Sequence, residues 1–411
     1  MHVLVCEHPH WGHHHEFMGY LVTGLLGAVD RVSVAVTPAG QRSANFREYL
    51  APLAERVEVA PILREIPQSP AVRRALSMFQ EFERAASEIG PDYVMLPSAD
   101  SATFGAFLDR FRPGRSVFHH LPAEVCLHSG PGGEFVAGLG QRARAMLQPT
   151  AYRVAPWRRI HMINPLAYEV LRGRGTRLPI GTLPSPVTVA EPKPRGECRA
   201  RLGLPEDGRL LVAAGGLDRQ EKGTDRLLAA FRRLRREPGD RLLLAGRCAP
   251  GLVKLVESDY GDLVAAGQLL MLNRFLSDED MGDVFSAADV VCVPYPGFRR
   301  LSGILTRGVA AGRPVLSNSD GWMGAVVRRF GLGWQCDAAD DEKLVETAQA
   351  ALDGCRDYVQ GESGREFARY HAMDNFHAHW LVGLAEYAGL KGTGVPFTWE
   401  QLLERCRETA A

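Results

Sequence analysis

The sequence lacks the features that would place it outside the ordinary globular class. It has no excess charge, because 48 Lys and Arg residues balance 48 Asp and Glu residues, whereas nucleic-acid-binding proteins usually carry a basic excess. No apolar run approaches the roughly 18 to 20 residues that a membrane-spanning helix needs. The eight cysteines are scattered and form no CxxC pair, so we expect neither a disulfide framework nor a cysteine metal site.

A secretory signal is also missing at the amino terminus. The first residues, 1–7, have no basic region and are followed at once by the polar run that begins at His8, unlike a signal peptide. Together with scattered, reduced cysteines, this predicts a cytoplasmic protein that binds no nucleic acid. With 411 residues, of which 45% are hydrophobic, the chain exceeds what one core usually serves, and we expect two domains.

Short apolar runs alternate with helix-like segments, as in βα units around a parallel sheet. They fall into two series on either side of a proline-rich stretch, residues 183–194, which predicts a linker. We predict domains at 1–188 and 189–370, followed by a helical segment at 371–411 that packs across both. The predicted strands are His2–Glu7, Arg31–Thr37, Arg56–Pro61, Asp92–Pro97, Ser116–His120 and Arg159–Asn164, then Arg209–Gly215, Arg241–Gly246, Leu269–Asn273, Val290–Pro294, Pro314–Ser317 and Gly333–Cys336.

The loops that follow the first strand of each series lack the GxGxxG fingerprint of dinucleotide oxidoreductases. Five other landmarks occur in order, and through them the C-terminal half resembles the retaining GT-B glycosyltransferases of family four, also called glycosyl transferases group 1. This resemblance implies an α/β fold of the GT-B type, in which two Rossmann-like, doubly wound domains face a central cleft. The landmarks are Leu183–Val187, Ala214–Asp218 with Lys222–Asp225, Leu243–Gly246, Ala288–Pro294 and Ala310–Val315.

The resemblance implies that the second domain binds the diphosphate of a nucleotide-sugar donor, UDP- or GDP-linked. In open parallel sheets, ligands bind at the carboxyl ends of the strands, where Gly216 and Gly246 would let the backbone approach a ligand closely. Lys222 and Arg219 are the candidate cations for the diphosphate. The alternative for Lys222 is an exposed residue of a turn.

A second anion site is predicted at Ser302, Gly303 and Ile304, at the start of a helix. Unpaired backbone N–H groups and the helix dipole favour a phosphate there. The alternative is a plain turn with Ser302 as the helix N-cap. The family usually has two glutamates near this loop, the second of which holds the nucleotide ribose. Their positions here carry Arg299 and Arg307, which cannot accept a hydrogen bond, so ribose recognition must differ or be lost.

The first domain offers two candidate places. Gly12 lies in a loop where the family approaches the donor phosphates and the acceptor, within a run of histidines that we do not expect to bind metal, because consecutive side chains diverge. His119 and His120 end a predicted strand at a position where related enzymes often place a histidine that touches the donor sugar. They are the candidate catalytic residues, although a structural imidazole is an equal alternative.

These observations predict a transferase that moves a sugar, with retention of configuration, to a glycan, a lipid-linked acceptor or a small molecule, without a cofactor or a metal. Two alternatives are a non-catalytic relative that serves as a binding or scaffold subunit, and a nucleotide-sugar epimerase. A basic, aromatic stretch also raises the hypothesis of peripheral contact with an anionic membrane. Its residues are Arg142, Arg144, Arg153, Trp157, Arg158 and Arg159.

Overall fold

The computed structural model describes residues 1–10, 13–67, 69–111, 116–128, 149–172, 180–187, 193–217, 222–390 and 393–408. The chain divides into two compact units. Unit 1 comprises Met1–Pro186 and Met373–Trp399, and unit 2 comprises Val187–Ala372 and Glu400–Ala411. The observed division after Pro186 lies close to the boundary at 188 expected from the sequence, and the expected third segment, 371–411, is shared between the two units.

Unit 1 is built on a parallel sheet whose described strands run in the order β3-β2-β1-β4-β5-β6-β7. Because β1 and β4 are neighbours, the chain reverses its direction of winding between them, which makes their carboxyl ends the expected ligand position. The strands are β1 (His2–Cys6), β2 (Arg31–Ala35), β3 (Glu58–Ala60), β4 (Tyr93–Leu96), β5 (Ala123–Leu127), β6 (Arg159–Met162) and β7 (Ile180–Thr182). The helices are α1 (His14–Leu25), α2 (Pro38–Gln41), α3 (Ala44–Tyr49), α4 (Ala71–Ile89), α5 (Asp100–Asp109) and α6 (Pro165–Arg172).

Unit 2 has a second parallel sheet, with its described strands in the order β10-β9-β8-β11-β12-β13. Here the winding reverses between β8 and β11. The strands are β8 (Leu210–Ala214), β9 (Arg241–Ala245), β10 (Leu269–Leu272), β11 (Val290–Val293), β12 (Val315–Asn318) and β13 (Gly333–Cys336). The helices are α7 (Arg195–Arg201), α8 (Thr224–Arg233), α9 (Pro250–Asp259), α10 (Gly261–Ala265), α11 (Asp278–Ala287), α12 (Gly303–Ala310), α13 (Gly321–Phe330), α14 (Asp341–Gly354) and α15 (Glu362–Tyr370).

Two further helices follow, α16 (Met373–Ala388) and α17 (Trp399–Glu408). The first of them belongs to unit 1, where the ring of its Phe376 packs edge-on against Phe17 of α1 at 5.0 Å. Gly383 of α16 lies directly over the sheet, since a Cβ at this position would lie 1.6 Å from the Glu124 carboxylate of β5. The sheet of unit 1 therefore obtains part of its cover from the end of the chain.

One strand prediction is wrong. Residues expected to form a strand, Ser116–His120, contain a 3₁₀ helix at Val117–His119, and the strand β5 begins only at Ala123. The Ser116 hydroxyl accepts a hydrogen bond from the Phe118 N–H at 3.2 Å and so caps the short helix. Phe118 is buried, 5.3 Å from the Trp157 ring, and this packing explains the apolar signal that resembles a strand. The short strand β7 was not predicted.

Candidate functional site

The switch point of unit 2 brings together the loops that follow β8 and β11. Gly215 comes directly after β8 with φ of +98°, and a Cβ there would lie 3.2 Å from both Lys222 Nζ and Ile304 Cδ1. A residue with φ in this range is almost always glycine. The Lys222 ammonium therefore lies beside the bare backbone of Gly215 and next to the first turn of α12.

Tyr295 and Gly246 help to hold Lys222 and the Gly215 loop in this arrangement. Lys222 Nζ lies 5.6 Å from the centroid of the Tyr295 ring, a distance at which a cation is attracted to an aromatic face. Burial raises the pKa of Tyr295 above its ordinary value, so its phenol stays neutral. Gly246, after β9, has φ of +125°, and a Cβ there would lie 2.0 Å from the carbonyl oxygen of Gly215. Only glycine at 246 lets the two loops pack this closely.

The amino terminus of α12 completes the group. Ser302 is its N-cap, with its hydroxyl accepting a hydrogen bond from the Leu305 N–H at 3.4 Å, and it is buried. The next residue, Gly303, is exposed, and a Cβ there would meet nothing within 4 Å. Because the first N–H groups of a helix have no acceptor within the helix, the N–H groups of Gly303 and Ile304 are suited to an anion. The structure thus places Lys222, Gly246, Ser302, Gly303 and Ile304 around one position.

Arg299 and Arg307, the arginines at the positions of the family's glutamates, differ in their surroundings. Arg307, on α12, pairs with Asp278 at the start of α11, with Nη2 3.3 Å from Oδ1. Arg299 lies in the β11–α12 loop with an exposed side chain, while its carbonyl oxygen accepts a hydrogen bond from the Trp322 N–H at 3.0 Å. The fixed backbone presents the Arg299 guanidinium at the carboxyl edge of the sheet, whereas the charge of Arg307 is partly balanced by its partner.

Some predicted site residues cannot be placed. Arg219 and Gly12 lie outside the described residues. Gly216 is described and exposed, directly after Gly215. His119 and His120 are both exposed and come before β5 rather than after it. They therefore lie at the amino edge of the unit 1 sheet, opposite the edge where ligands bind in such sheets, and the prediction of a strand that carries them to the binding edge is wrong.

The carboxyl end of β5 carries a different histidine, His128. Its Nε2 lies 3.0 Å from the Pro97 carbonyl oxygen, and its backbone N–H donates to the Asp100 carboxylate at 2.9 Å. Nε2 must hold the proton to donate to a carbonyl, so Nδ1 is the acceptor. Burial, with the charge of His14, lowers the pKa of His128 to about 4. His128 is therefore neutral at physiological pH and has a fixed tautomer.

A buried acid and a histidine lie at the switch point of unit 1. Glu7, directly after β1, is fully buried, and His14 at the start of α1 has its Nδ1 3.6 Å from Glu7 Oε1. The same nitrogen is 3.0 Å from the Ser98 hydroxyl, which lies in the loop after β4. Within the described parts of the chain, no group of three His, Cys, Asp or Glu side chains forms a metal site.

A second buried carboxylate, Glu124, is hydrogen-bonded within the sheet of unit 1 and has a structural role. It accepts hydrogen bonds from the Tyr93 hydroxyl at 2.6 Å and from His161 Nε2 at 2.8 Å. It is the second residue of β5, and α16 covers it at Gly383. Because Glu124 is fully buried and each of its oxygens is bonded inside the fold, it is out of reach of a substrate.

The residues behind the membrane hypothesis are only partly at the surface. Trp157 is buried and its indole N–H donates to Thr103 at 3.0 Å, and Arg159 pairs with Glu386 at 2.7 Å. Arg142 and Arg144 lie outside the described residues. Of the helices that the structure describes, none is long and apolar enough to cross a membrane. Peripheral contact stays a prediction, with a smaller surface than the sequence indicates.

Comparison with known proteins identifies the region that carries the Lys222 site. Residues 208–353 match the family Glycosyl transferases group 1. This part of unit 2 is similar to a glycosyltransferase domain. The predicted resemblance to the group 1 family is thereby confirmed over this range, which contains Lys222, Gly246, Ser302 and both arginines.

A curated relative is similar to a part of the chain in sequence, and two solved structures are similar to it in fold. The phosphatidyl-myo-inositol mannosyltransferase of Mycolicibacterium smegmatis is 32% identical over 117 residues, which make up 28% of this chain and 29% of that protein. The chain thus aligns with less than a third of the relative's length. Sucrose-phosphate synthase from Thermosynechococcus elongatus is similar over 100% of this chain and 98% of its own, with a TM-score of 0.66 and 16% identity.

The second structure is Anabaena HepE in complex with UDP and glucose, which is similar over 94% of this chain and 100% of its own, with a TM-score of 0.64 and 12% identity. At such low identity these similarities concern the fold. They extend over both units, and the predicted α/β fold with two Rossmann-like domains of the GT-B type is confirmed. The region that matches the family therefore lies within a chain whose fold is similar to these structures over both units.

Proposed function

We propose that this chain transfers a sugar from a nucleotide diphosphate-sugar to an acceptor, and that the glycosyltransferase domain binds the donor diphosphate at Lys222. The observation that carries this proposal is the convergence of the Lys222 ammonium, the glycine backbone at 215 and the amino terminus of α12 at one switch point. Cation, helix dipole and free N–H groups all favour an anion there. A UDP- or GDP-linked donor fits this chemistry, and no step in it requires a metal or a cofactor.

The same groups would assist the reaction. When the bond between the sugar and the diphosphate breaks, negative charge grows on the departing oxygen, so donors that are already oriented stabilise the transition state more than the ground state. Lys222 and the N–H groups of Gly303 and Ile304 would supply this stabilisation. Arg299 would add a cation for the diphosphate or for an anionic sugar, and Arg219 stays a candidate for the same role.

In unit 1, we assign to His128 the contact with the donor sugar that the sequence analysis assigned to His119 and His120. Its neutral ring and fixed tautomer make Nδ1 a hydrogen-bond acceptor for a sugar hydroxyl, at the carboxyl edge where the sheet binds ligands. The acceptor substrate would be a glycan, a lipid-linked molecule or a small molecule. The curated relative acts on a phosphatidyl-myo-inositol, as its name states, which supports a test of lipid-linked acceptors first.

Replacing Lys222 with alanine should weaken nucleotide binding by about 10- to 100-fold, because a hydrogen bond to a charged group contributes roughly 1.5 to 3 kcal/mol. A nucleotide at a hundredfold its dissociation constant stabilises the wild type by about 2.7 kcal/mol. The measurement is a thermal-shift panel of UDP, GDP, ADP and TDP and their sugars. Lys254→Ala, an exposed lysine on α9, is the matched control and should respond as the wild type does. The proposal fails if no nucleotide shifts the wild type, or if Lys222→Ala responds equally.

We further propose retention of configuration, which the group 1 match supports. The expected product of an α-linked donor is therefore an α-linked glycoside. Proton NMR recorded during the reaction distinguishes this from a β-linked product through the coupling of the anomeric proton, before any slow rearrangement. A β-linked product would show inversion and would remove this part of the proposal.

A scaffold role is the second candidate, and the arginines at 299 and 307 favour it. Neither side chain can accept a hydrogen bond from a ribose hydroxyl, so the nucleotide site loses an acceptor at both positions. Under this alternative the purified chain turns over no nucleotide-sugar, and the Lys222→Ala variant forms the same complexes as the wild type. Turnover by the purified chain decides between the two candidates.

A further inference from the structure

The loop between β11 and α12 carries positive charge without a balancing acid. Residues 294–302 include Arg299 and Arg300 and contain no Asp or Glu, and both arginine side chains are exposed. Arg307, further along, pairs with Asp278 at 3.3 Å, whereas no acidic side chain among the described residues pairs with Arg299. The Arg299 guanidinium can therefore take an anionic ligand without first breaking an ion pair.

The backbone around Arg299 is held in place by β12 and α13. The Asn318 side-chain N–H donates to the Phe298 carbonyl oxygen at 2.9 Å, and the Trp322 backbone N–H donates to the Arg299 carbonyl oxygen at 3.0 Å. Gly321 has φ of +60°, and a Cβ there would lie 2.3 Å from Arg299 Cα, so only glycine lets α13 begin this close to the loop. A side chain on a fixed backbone loses less conformational freedom when it binds a ligand.

Aromatic rings connect this loop to the proposed diphosphate position. Lys222 Nζ lies 5.6 Å from the centroid of the Tyr295 ring, and the Tyr295 and Phe298 rings are perpendicular at 5.5 Å. The Arg300 guanidinium in turn lies 5.0 Å from the Phe298 ring. Arg299 comes three residues before the N-cap of α12, and three residues of chain span at most about 11 Å. The group that follows the diphosphate in a bound donor therefore lies near the Arg299 side chain.

The two sides of the switch point in unit 2 suit different ends of a nucleotide-sugar. The sheet order places β9 and β10 on one side and β12 on the other. Directly after β10, Phe275 is 46% exposed, and the Arg247 guanidinium lies 5.8 Å from its ring. Bases stack on aromatic rings and on guanidinium planes. Because Arg299 packs against α13 on the β12 side, the arrangement favours the nucleoside at Phe275 and the sugar at Arg299.

We propose that the transferred sugar carries a carboxylate, as in a nucleoside diphosphate-uronic acid, and that Arg299 binds this carboxylate. The inference rests on the proposed glycosyl transfer and names the class of its donor. The planar guanidinium matches a carboxylate through two parallel hydrogen bonds. A neutral sugar leaves the charge without a partner, and its hydroxyl hydrogens find no acceptor on an arginine. A uronic acid satisfies both the charge and the donors of Arg299.

The first test compares donors that differ only at C6 of the sugar. UDP-glucose and UDP-glucuronate form one pair, UDP-galactose and UDP-galacturonate a second, and GDP-mannose and GDP-mannuronate a third, with UDP and GDP as references. Isothermal titration calorimetry of the full chain should show that the uronate binds about 10-fold or more tightly than its neutral partner in at least one pair, the scale of one hydrogen bond to a charged group. A wild type that binds nucleotide but prefers no uronate in any pair overturns the inference.

The second test locates this preference at Arg299. In Arg299→Gln the preferred uronate should bind about 10- to 100-fold more weakly, while the nucleoside diphosphate and the neutral sugar donor bind as they do to the wild type. Arg299 binds the diphosphate instead, and the inference is overturned, if all three ligands weaken by the same factor. Arg235→Gln is the matched control. Arg235 is exposed and comes just after α8, at the amino edge of the sheet, so its loss should leave every affinity unchanged.

A charge reversal at the same position distinguishes selection of the sugar from damage to the fold. Glutamate accepts hydrogen bonds from sugar hydroxyls and repels a carboxylate. Arg299→Glu should therefore reverse the preference within the pair, so that the neutral donor binds more tightly than the uronate. A variant that had lost its fold would lose both donors together, and thermal melting shows whether the chain is folded. A folded Arg299→Glu that still prefers the uronate contradicts the assignment.

The outcomes separate this inference from the function on which it rests. If the wild type binds none of the nucleotides, the donor site and the inference both fail. If Lys222→Ala weakens the binding of UDP or GDP but no uronate is preferred, the donor site stands and the inference alone fails. A uronate preference that is lost in Arg299→Gln, kept in Arg235→Gln and reversed in Arg299→Glu establishes Arg299 as the residue that selects the sugar.

Discussion

Gly246→Ala should lower the free energy of unfolding of unit 2 by about 2 to 4 kcal/mol, the combined scale of backbone strain and overpacking. The backbone at 246 has φ of +125°, and the new Cβ would lie 2.0 Å from the Gly215 carbonyl oxygen. Relief requires the β8 loop to move away. Because Gly215 lies beside Lys222 Nζ, the same movement should remove nucleotide-dependent stabilisation. Urea unfolding with and without the nucleotide that binds the wild type measures both effects.

A second glycine serves as the matched control. Gly251 lies in α9, only a few residues further along the chain, and a Cβ there would meet nothing within 4 Å. Alanine is the better helix former, so Gly251→Ala should be as stable as the wild type or slightly more so. If Gly246→Ala unfolds at the same urea concentration as Gly251→Ala, the close packing of the two loops is not a requirement of the fold.

Glu124→Ala should lower the free energy of unfolding of unit 1 by about 3 to 5 kcal/mol. A loss of this size is typical when one partner of a buried charged network is removed. The Tyr93 hydroxyl and the His161 imidazole both donate to Glu124, at 2.6 Å and 2.8 Å. Without the carboxylate, these two buried donors lose their acceptor beneath α16. The measurement is urea unfolding monitored by tryptophan fluorescence, since Trp380 lies 4.7 Å from the His161 ring.

The appropriate comparison is Glu386→Ala on α16. Glu386 also pairs with Arg159, at 2.7 Å, but it is 55% exposed, and exposed pairs contribute roughly 0 to 1 kcal/mol. The two variants remove the same chemical group from one helix-covered region of unit 1. If Glu124→Ala and Glu386→Ala lowered the free energy of unfolding equally, burial would not determine how much Glu124 contributes to stability.

The sheet of unit 2 was predictable because its strands are uninterrupted apolar runs between turn residues. Arg241–Gly246, for example, corresponds to β9 at Arg241–Ala245. In unit 1 the same reasoning failed at β5, where Glu124 interrupts the apolar run. The carboxylate is tolerated there only because partners from β4 and β6 meet it, and sequence spacing does not reveal such partners.

The donor-site candidates were predictable from position. Lys222, Ser302 and Gly246 each follow a strand of unit 2, and parallel strands bring such loops to one edge. His128 was missed because the strand before it was assigned to the wrong residues. Glu7 could not be recognised either, since a glutamate after a strand looks like an ordinary turn residue, and its burial beside His14 becomes visible only in three dimensions.

The return of α16 to unit 1 has a consequence for synthesis of the chain. Roughly 190 residues separate Pro186 from the helix that covers Glu124, and at about 5 to 20 residues per second a ribosome needs about 10 to 40 s to make them. During this interval the main part of unit 2, Val187–Ala372, is made while the polar network of the first sheet lacks its cover. The half of the protein that is made first is therefore completed only after most of the other half has been made, and a nascent chain that stalls before residue 373 leaves part of the first sheet uncovered.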